Sequence, residues 1–414
     1  MRKRILRICL VITLAAIAGV LFFHADTLVR AAEDAPGTSE VSQQTRAQAA
    51  LETLYILKNL YFYDVDEDVL IDAYKENQSI EDMIKALDDP RARYMDSSEY
   101  QRFLEDVKGS FEGIGIVVGI LDGELTIVAP IKDTPGERAG LKPMDKIKYI
   151  DGRSTQDMAL EYAVSLMKGP KGTTVVLGIE RVENETGRTF DVSIVRDTVV
   201  VPRVSSSMLE NGIGYVHLAS FFGEATAEEM MSEIKGLLDQ DMKGLILDLR
   251  LNPGGLVDLA VDVLNKFLPM GTPVVHQVNK SGRQVTYYAG PGEKIDLPMV
   301  VLVNEASASA AEIVAGALKD MGRATVVGVK TFGKGSIQSV YRLSDGSAIS
   351  VTTHLYLTAG EHAIDSIGIE PDVEVELPEA AEDSDDGVAD TQLEAAIRIL
   401  TEQLEQEKSM KVAG

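Results

Sequence analysis

The 414-residue sequence contains one cysteine, Cys9, and five histidines. Cys9 lies inside an apolar N-terminal stretch, so the rest of the chain can hold no disulfide, no cysteine nucleophile and no thiolate-bound metal. His217, His276, His354 and His362 stand apart without ligand spacing, and none sits in a recognisable hydrolase motif. No metal site is expected, and any nucleophilic chemistry must find a base other than histidine. Positive charge is also short: 40 Lys and Arg face 65 Asp and Glu, a formal net charge of −25. Residues 1–31 carry five basic groups against one acid, a local +4, which leaves −29 on the remainder. So acidic a body repels phosphate backbones and anionic bilayers, and nucleic acid is not an expected partner. No phosphate-binding loop ending in Gly-Lys-Ser or Gly-Lys-Thr occurs. Gly113-Ile114-Gly115 lacks the third glycine and the following helix of a dinucleotide site, so no cofactor is expected.

What is present begins with a basic Met1-Arg2-Lys3-Arg4 and a 16-residue apolar run over 8–23. This reads as a signal peptide or a membrane anchor over 1–31, with Val29-Arg30-Ala31 as a candidate cleavage site. Either form places the body outside the cytoplasm, in the periplasm or cell envelope, and any membrane contact is through this segment alone. A lipid-attachment reading at Cys9 fails, because the cysteine would have to follow the apolar run and be preceded by small residues. The length allows two or three domains, and 45% hydrophobic with 25% charged residues is ordinary for folded chains.

Residues 32–106 read as a polar tether followed by a helical module, with Leu51, Leu54, Leu57 and Leu60 at helical spacing. From 107 to 199 short apolar strands alternate with glycine turns and two short helices. This order resembles a PDZ domain of the kind attached to bacterial proteases. The resemblance implies capture of a peptide C-terminus as an added strand. It places the carboxylate-binding amides at Ile114, Gly115 and Ile116, with Val117 continuing the strand, and Tyr162, Ala163, Leu166 and Met167 along the groove. Met144 departs from the glycine usual in such turns.

Residues 200–377 alternate strands, over 214–218, 244–249 and 299–303, with helices over 226–240, 256–267 and 310–321, the pattern of an α/β core. Further strands are expected over 324–329, 337–342 and 348–357. Residues 378–414 read as an acidic linker and an amphipathic helix carrying Leu393, Ile397, Leu400 and Leu404 on one face.

Three local patterns in this core carry chemistry. Ser309 directly precedes Ala310-Ala311-Glu312, a helix start whose free N–H groups favour developing negative charge. Ser307 is the rival nucleophile, and a serine before a helix is most often only a cap. Lys334 follows Ser309 by 25 positions and has Gln338 beyond it. A lysine with a pKa of about 10.4 is no base at neutral pH. Burial among Val326, Val327, Val329, Phe332 and Ile337 would bring it toward the range of about 7–8 that catalytic lysines need. Asn252-Pro253-Gly254-Gly255 ends a buried strand and opens a helix, so N–H groups of Gly254 or Gly255, with that of Ala310, could form an oxyanion hole.

In order along the chain stand Leu87-Asp88-Asp89-Pro90-Arg91, Gly113-Ile114-Gly115-Ile116, Asn252-Pro253-Gly254-Gly255, Ser307-Ala308-Ser309-Ala310-Ala311-Glu312 and Gly333-Lys334-Gly335-Ser336-Ile337-Gln338. Together they resemble the carboxy-terminal processing, or tail-specific, proteases over roughly residues 49–377. The resemblance implies a multidomain α/β protein with a crotonase- or ClpP-like protease core, an inserted PDZ domain and a helical N-terminal module. It selects Ser309 over Ser307 as nucleophile, with Lys334 as base and Gln338 as its orienting amide. It further implies an exported serine endopeptidase whose partners are proteins and peptides with apolar C-termini, and whose PDZ domain gates the catalytic groups. Thr358-Ala359-Gly360-Glu361 departs from the family's usual Pro-Ser-Gly-Arg. Two other readings stand beside this one: a silent PDZ scaffold that only binds tails, and a crotonase-type acyl-thioester enzyme. The amphipathic helices at both ends also raise a homodimer as an expectation.

Overall fold

The computed structural model describes residues 40–121, 123–183, 186–378 and 389–413. The targeting segment expected over 1–31 and the acidic linker expected from residue 378, apart from Pro378 itself, lie outside them. Among the described residues no helix is long and apolar enough to cross a membrane. The chain forms two compact units, one of residues 104–203 with 222–225 and one of the remainder.

The N-terminal residues of the larger unit form α1 (Glu40–Asn59), α2 (Glu67–Asn77), α3 (Ile80–Lys85) and the short strand β1 (Arg93–Met95), followed by α4 (Ser97–Lys108). Asp66 caps α2 by accepting from the Asp68 N–H, and Ser79 caps α3 by accepting from that of Asp82. The helices bury Leu57, Leu70, Ile71, Tyr74 and Met83 together with Ile349 and Val351 of the core. Strand β1 pairs antiparallel with residues 348–350. The helical segment therefore shares its apolar interior and a ladder with the α/β core.

The smaller unit contains β2 (Ser110–Gly113), β3 (Ile116–Leu121), β4 (Glu124–Pro130), α5 (Pro135–Arg138), β5 (Lys146–Ile150), β6 (Arg153–Ser154), α6 (Leu160–Met167), β7 (Thr174–Glu183), β8 (Thr186–Val195) and β9 (Asp197–Val200). Five strands form an antiparallel sheet in the order β3-β4-β5-β7-β8, β6 pairs with β5, and β2 pairs with β9. Ile127, Ile147, Val175, Leu177 and Ile179 pack against Ala163 and Met167 of α6. Among the described residues strand β3 pairs only with β4, so its other edge keeps backbone groups available for an added strand.

The remaining elements are β10 (Val204–Met208), β11 (Ile213–Leu218), α7 (Thr226–Leu238), β12 (Gly244–Asp248), α8 (Val257–Leu264), β13 (Pro273–Asn279), β14 (Gln284–Tyr288), β15 (Met299–Val303), α9 (Ala310–Asp320), β16 (Thr325–Gly328), β17 (Ser336–Arg342), β18 (Ala348–Thr358), β19 (Val373–Glu374) and α10 (Thr391–Ala413). Strands run in the order β10-β11-β12-β15-β16-β19, parallel from β11 onward. Every residue of β12 and β15 is buried, as expected of parallel strands covered on both faces. Leu245, Leu247, Met299 and Val301 pack beneath α7, α8 and α9. Ile246, Val300, Leu302 and Val327 meet Ala396 and Leu400 of α10. Each such side chain contributes roughly 1.5–3 kcal/mol of burial. The apolar face of α10, which had raised the homodimer expectation, thus packs on the sheet of its own chain.

A second sheet runs β1-β18-β13-β14, with β17 on β18. The β13–β14 hairpin has no counterpart among the strands expected from sequence. Its turn is closed by Asn279, whose side chain accepts from the Ser281 and Arg283 N–H groups. The carboxyl ends of β12 and β15 and the start of β17 frame the crevice where ligands bind in open α/β sheets.

Candidate active site

Ser309 is the N-cap of α9 and has φ 54° and ψ −114°, a region that non-glycine residues rarely occupy. Its N–H donates to Glu312 Oε2 at 2.8 Å. Ser307, the rival, is fully buried, and its hydroxyl donates to the Leu249 carbonyl at 2.8 Å while accepting from the Asn304 N–H at 2.9 Å. Ser307 therefore bridges two loops. Ser309 is half-buried and keeps its hydroxyl within hydrogen-bonding reach of the Tyr356 hydroxyl.

The glycine turn after β12 lies against this serine. A side chain at Gly254, φ +95°, would place its Cβ 2.7 Å from Ser309 Cβ and 2.9 Å from Ala310 N. At Gly255, φ +147°, it would meet the Phe221 carbonyl oxygen at 2.2 Å. Only glycine fits either position. The Gly254 N–H is already donated to Asn252 Oδ1 at 2.9 Å, which removes it as an oxyanion donor. Among the described residues the N–H groups of Gly255 and Ala310 have no acceptor. Those two amides, beside the serine, are the ones free to meet an incoming oxygen.

Lys334 lies in the loop that enters β17. The fully buried Glu312 carboxylate holds this loop against the serine: Oε2 accepts from Ser309 N (2.8 Å) and Lys334 N (2.9 Å), and Oε1 from Gly333 N (2.7 Å) and Thr331 Oγ1 (2.5 Å). The Tyr356 hydroxyl donates to the Lys334 carbonyl, and burial pushes its pKa well up, so it remains a donor. Asp365 accepts from the Gly335 N–H at 3.1 Å and pairs with Arg91 at 2.8 Å. Burial holds the Lys334 amine below the ordinary lysine pKa, the Arg91 charge adds to that depression, and Glu312 opposes it. Among the described residues the amine has neither a hydrogen bond nor an ion pair. Val326 and Val327 are buried as expected, but Phe332 is 63% exposed. Gln338 is one strand position pair further on, and its amide donates to Thr352 Oγ1 (2.9 Å) and Ser336 Oγ (3.2 Å). It does not reach the lysine amine here, because Thr352 of the neighbouring strand competes for it.

In the smaller unit a groove opens between the free edge of β3 and α6. It is lined by Phe111, Ile114, Gly115, Ile116 and Val118 on one side and Val164, Met167 and Lys168 on the other. Gly115, φ +73°, must be glycine, because a Cβ would lie 2.3 Å from Thr134 Cβ. The strand alternates, so Ile116 and Val118 face the groove while the Val117 side chain, 47% exposed, points away. Three groove residues expected on α6 fall elsewhere. Ala163 is buried in the core of this unit, Tyr162 is exposed and accepts from Arg153 Nη1 at 2.7 Å, and Leu166 packs against that core without lining the groove. The helix is rotated from the assumed register, so Val164 and Met167 provide the lining.

Family models match the chain twice: Peptidase family S41 over residues 212–375 and PDZ domain over residues 101–180. The chain is 41% identical over 325 residues to the carboxy-terminal processing protease CtpA of Bacillus subtilis, covering 78% of this chain and 68% of that protein. It is 39% identical over 327 residues to the carboxyl-terminal-processing protease of Synechocystis, covering 78% and 76%. The chain belongs to peptidase family S41. Its structure is similar to that of a photosystem II D1 C-terminal processing protease, with a TM-score of 0.50 at 28% identity, covering 85% of this chain and 96% of the other.

This S41 peptidase is thus a carboxy-terminal processing protease with a PDZ domain and a multidomain α/β fold. Two groups at its site had no place in the reading from sequence. Glu312 was legible as the fourth residue of a Ser-x-x-Glu capping box, a pattern that signals a helix start and conceals the second loop it holds. Tyr356 gave no local signal at all. In Glu312→Gln the amide would turn an N–H₂ toward backbone N–H donors. With hydrogen bonds to charged groups contributing about 1.5–3 kcal/mol each, the melting temperature should fall by several degrees and activity should be lost. Thermal unfolding and a peptide-cleavage assay on one preparation measure both.

Proposed function

We propose that the protein is an extracytoplasmic serine endopeptidase that binds apolar C-terminal tails through its PDZ domain and cuts them with Ser309 and Lys334. Ser309 Oγ attacks the scissile carbonyl carbon as its proton passes to the neutral Lys334 amine. The carbonyl oxygen becomes an oxyanion held by the N–H groups of Gly255 and Ala310, at the positive end of α9. Collapse of the tetrahedral species breaks the C–N bond, and the lysine returns its proton to the leaving amine. A water molecule, deprotonated by the same lysine, then hydrolyses the acyl-enzyme and restores the serine. Gln338 would orient the lysine by leaving Thr352, a rotation about its own side-chain bonds.

The observation that carries this reading is the Glu312 carboxylate. It ties the backbone of a strained serine to the backbone of a lysine whose amine is desolvated and, among the described residues, unpartnered. The extracytoplasmic location rests on the basic-then-apolar composition of residues 1–31.

Tail recognition rests on the open β3 edge and the apolar groove beside it. The test is a peptide with an apolar tail, offered with a free or an amidated C-terminus. Amidation, or Met167→Asp, should reduce tail affinity about tenfold or more, as loss of a charge-assisted contact or of groove burial implies. Equal affinity for both peptides would remove the PDZ assignment and leave the catalytic one standing.

A further inference from the structure

Arg250 lies between strand β12 and the glycine turn, and its guanidinium is shared between two carboxylates. Nε donates to both Asp248 oxygens at 3.0 Å and Nη2 to Oδ2 at 2.7 Å. On its other side Nη1 and Nη2 each reach Asp390 at 2.8 Å, and Nη1 reaches Gln392 Oε1 at 3.2 Å. The Tyr215 hydroxyl donates to Asp248 Oδ2 at 2.7 Å. The Arg250 side chain is 12% exposed and that of Asp248 3%, so this is no surface pair. The Arg250–Asp248 half is buried and firmly held, whereas Asp390 is 37% exposed, so losing its charge leaves the guanidinium paired with Asp248.

Each end of this network has a definite address. Asp248 closes β12, and its Oδ1 accepts the Arg250 N–H at 2.9 Å. The next residue, Leu251, has φ +59° and a 71% exposed side chain. Its N–H is held by Asn304 Oδ1 at 2.9 Å. Asn252 then fixes Gly254, and Gly255 follows. A left-handed leucine with little packing of its own is held in place by its neighbours. The far end, Asp390, stands immediately before α10 and caps it by accepting the Leu393 N–H at 2.9 Å.

We propose that Arg250 and Asp390 are positioning residues: the C-terminal helix, docked through Asp390, sets the backbone at Arg250 and so aims the Gly255 N–H at the oxyanion. The α10 helix is thereby part of the catalytic apparatus without touching substrate. This rests on the oxyanion assignment given above.

Asp390→Asn in the full chain isolates the contact, because asparagine caps a helix as well as aspartate does. Only the charge presented to Arg250 is lost. A misaimed oxyanion donor weakens the transition state and not the bound substrate, so kcat should fall about tenfold with KM within about twofold. The melting temperature should change little, and Asp390→Glu should recover part of the rate. Arg250→Lys, which cannot bridge two carboxylates, should lower kcat at least as far. An unchanged or raised kcat in Asp390→Asn, or equal losses in kcat and in substrate affinity, overturns the proposal. Ser309→Ala run alongside separates the two levels. If that variant is inactive while Asp390→Asn keeps its rate, only the positioning role falls. If Ser309→Ala keeps its rate, the catalytic reading falls and takes this proposal with it.

Discussion

Ser309→Ala is expected to lower kcat/KM for tail cleavage by about 10⁴-fold or more, the scale seen when a serine nucleophile is removed, and to leave the fold intact. As part of the capping box at the start of α9 the hydroxyl contributes about 1 kcal/mol. Tyr356 retains the Lys334 carbonyl as its acceptor, and Glu312 binds the backbone N–H of residue 309 whatever its side chain. Near-complete loss of activity with only a small fall in melting temperature is therefore the signature of a nucleophile. Ser307→Ala should behave in the opposite way. It strips a partner from the buried Leu249 carbonyl and Asn304 N–H, a cost of about 1–3 kcal/mol, yet leaves the attacking oxygen in place. Cleavage rates and thermal unfolding of both variants decide the matter. Activity in Ser309→Ala together with inactivity in a folded Ser307→Ala would reverse the assignment.

The second large effect concerns Lys334. Lys334→Ala and Lys334→Arg should both abolish turnover, the latter because a guanidinium stays protonated at every working pH. In the wild type kcat/KM should rise with pH as the lysine loses its proton and level off above its depressed pKa. Arg91 shifts that limb in a definite direction. Its positive charge disfavours the ammonium, so Arg91→Gln removes a depressing influence, raises the lysine pKa and moves the activity limb toward alkaline pH. At neutral pH the variant should therefore be slower, with its rate restored as pH rises. A pH profile measured with one tail peptide tests this, and a shift toward acid would exclude Lys334 as the titrating base.

Much of the protein was legible because its signals are local. The buried apolar runs of β12 and β15, the glycine turn between β12 and α8 and the start of α9 are each set by neighbouring residues. Boundaries moved by one to three residues, as for α7, expected over 226–240 and found at Thr226–Leu238. Ser309 and Lys334 each stand at a turn beside a strongly periodic element, but local signals left Ser307 as a rival, and the ordered family motifs made the choice. What was not legible depends on partners far along the chain. The β13–β14 hairpin has only partial alternation, and its register is set by β18. Tyr356 resembles any strand tyrosine until β18 places it under the lysine loop. The groove face of α6 could not be chosen from sequence because several apolar residues compete for it, and the strand packing decides in favour of Val164 and Met167. Gln338 was placed on the correct strand, but the hydroxyl of Thr352 on the adjacent strand holds it away from the amine.

The pairing of β1 with β18 has a consequence for when this enzyme becomes active. Arg93 meets Ser350 and Met95 meets Ala348, partners that leave the ribosome far apart in time. Non-local ladders of this kind form late, since loop closure must precede any gain from the contact. Ser309 and Lys334 emerge earlier, but the strand that places Tyr356 beneath them does not, and Asp390 follows later still. A growing chain therefore carries Ser309 and Lys334 before it carries the strand whose Tyr356 hydroxyl holds the lysine loop. A chain cut short before β18 would hold Ser309 and Lys334 without the Tyr356 hydroxyl that anchors the lysine loop.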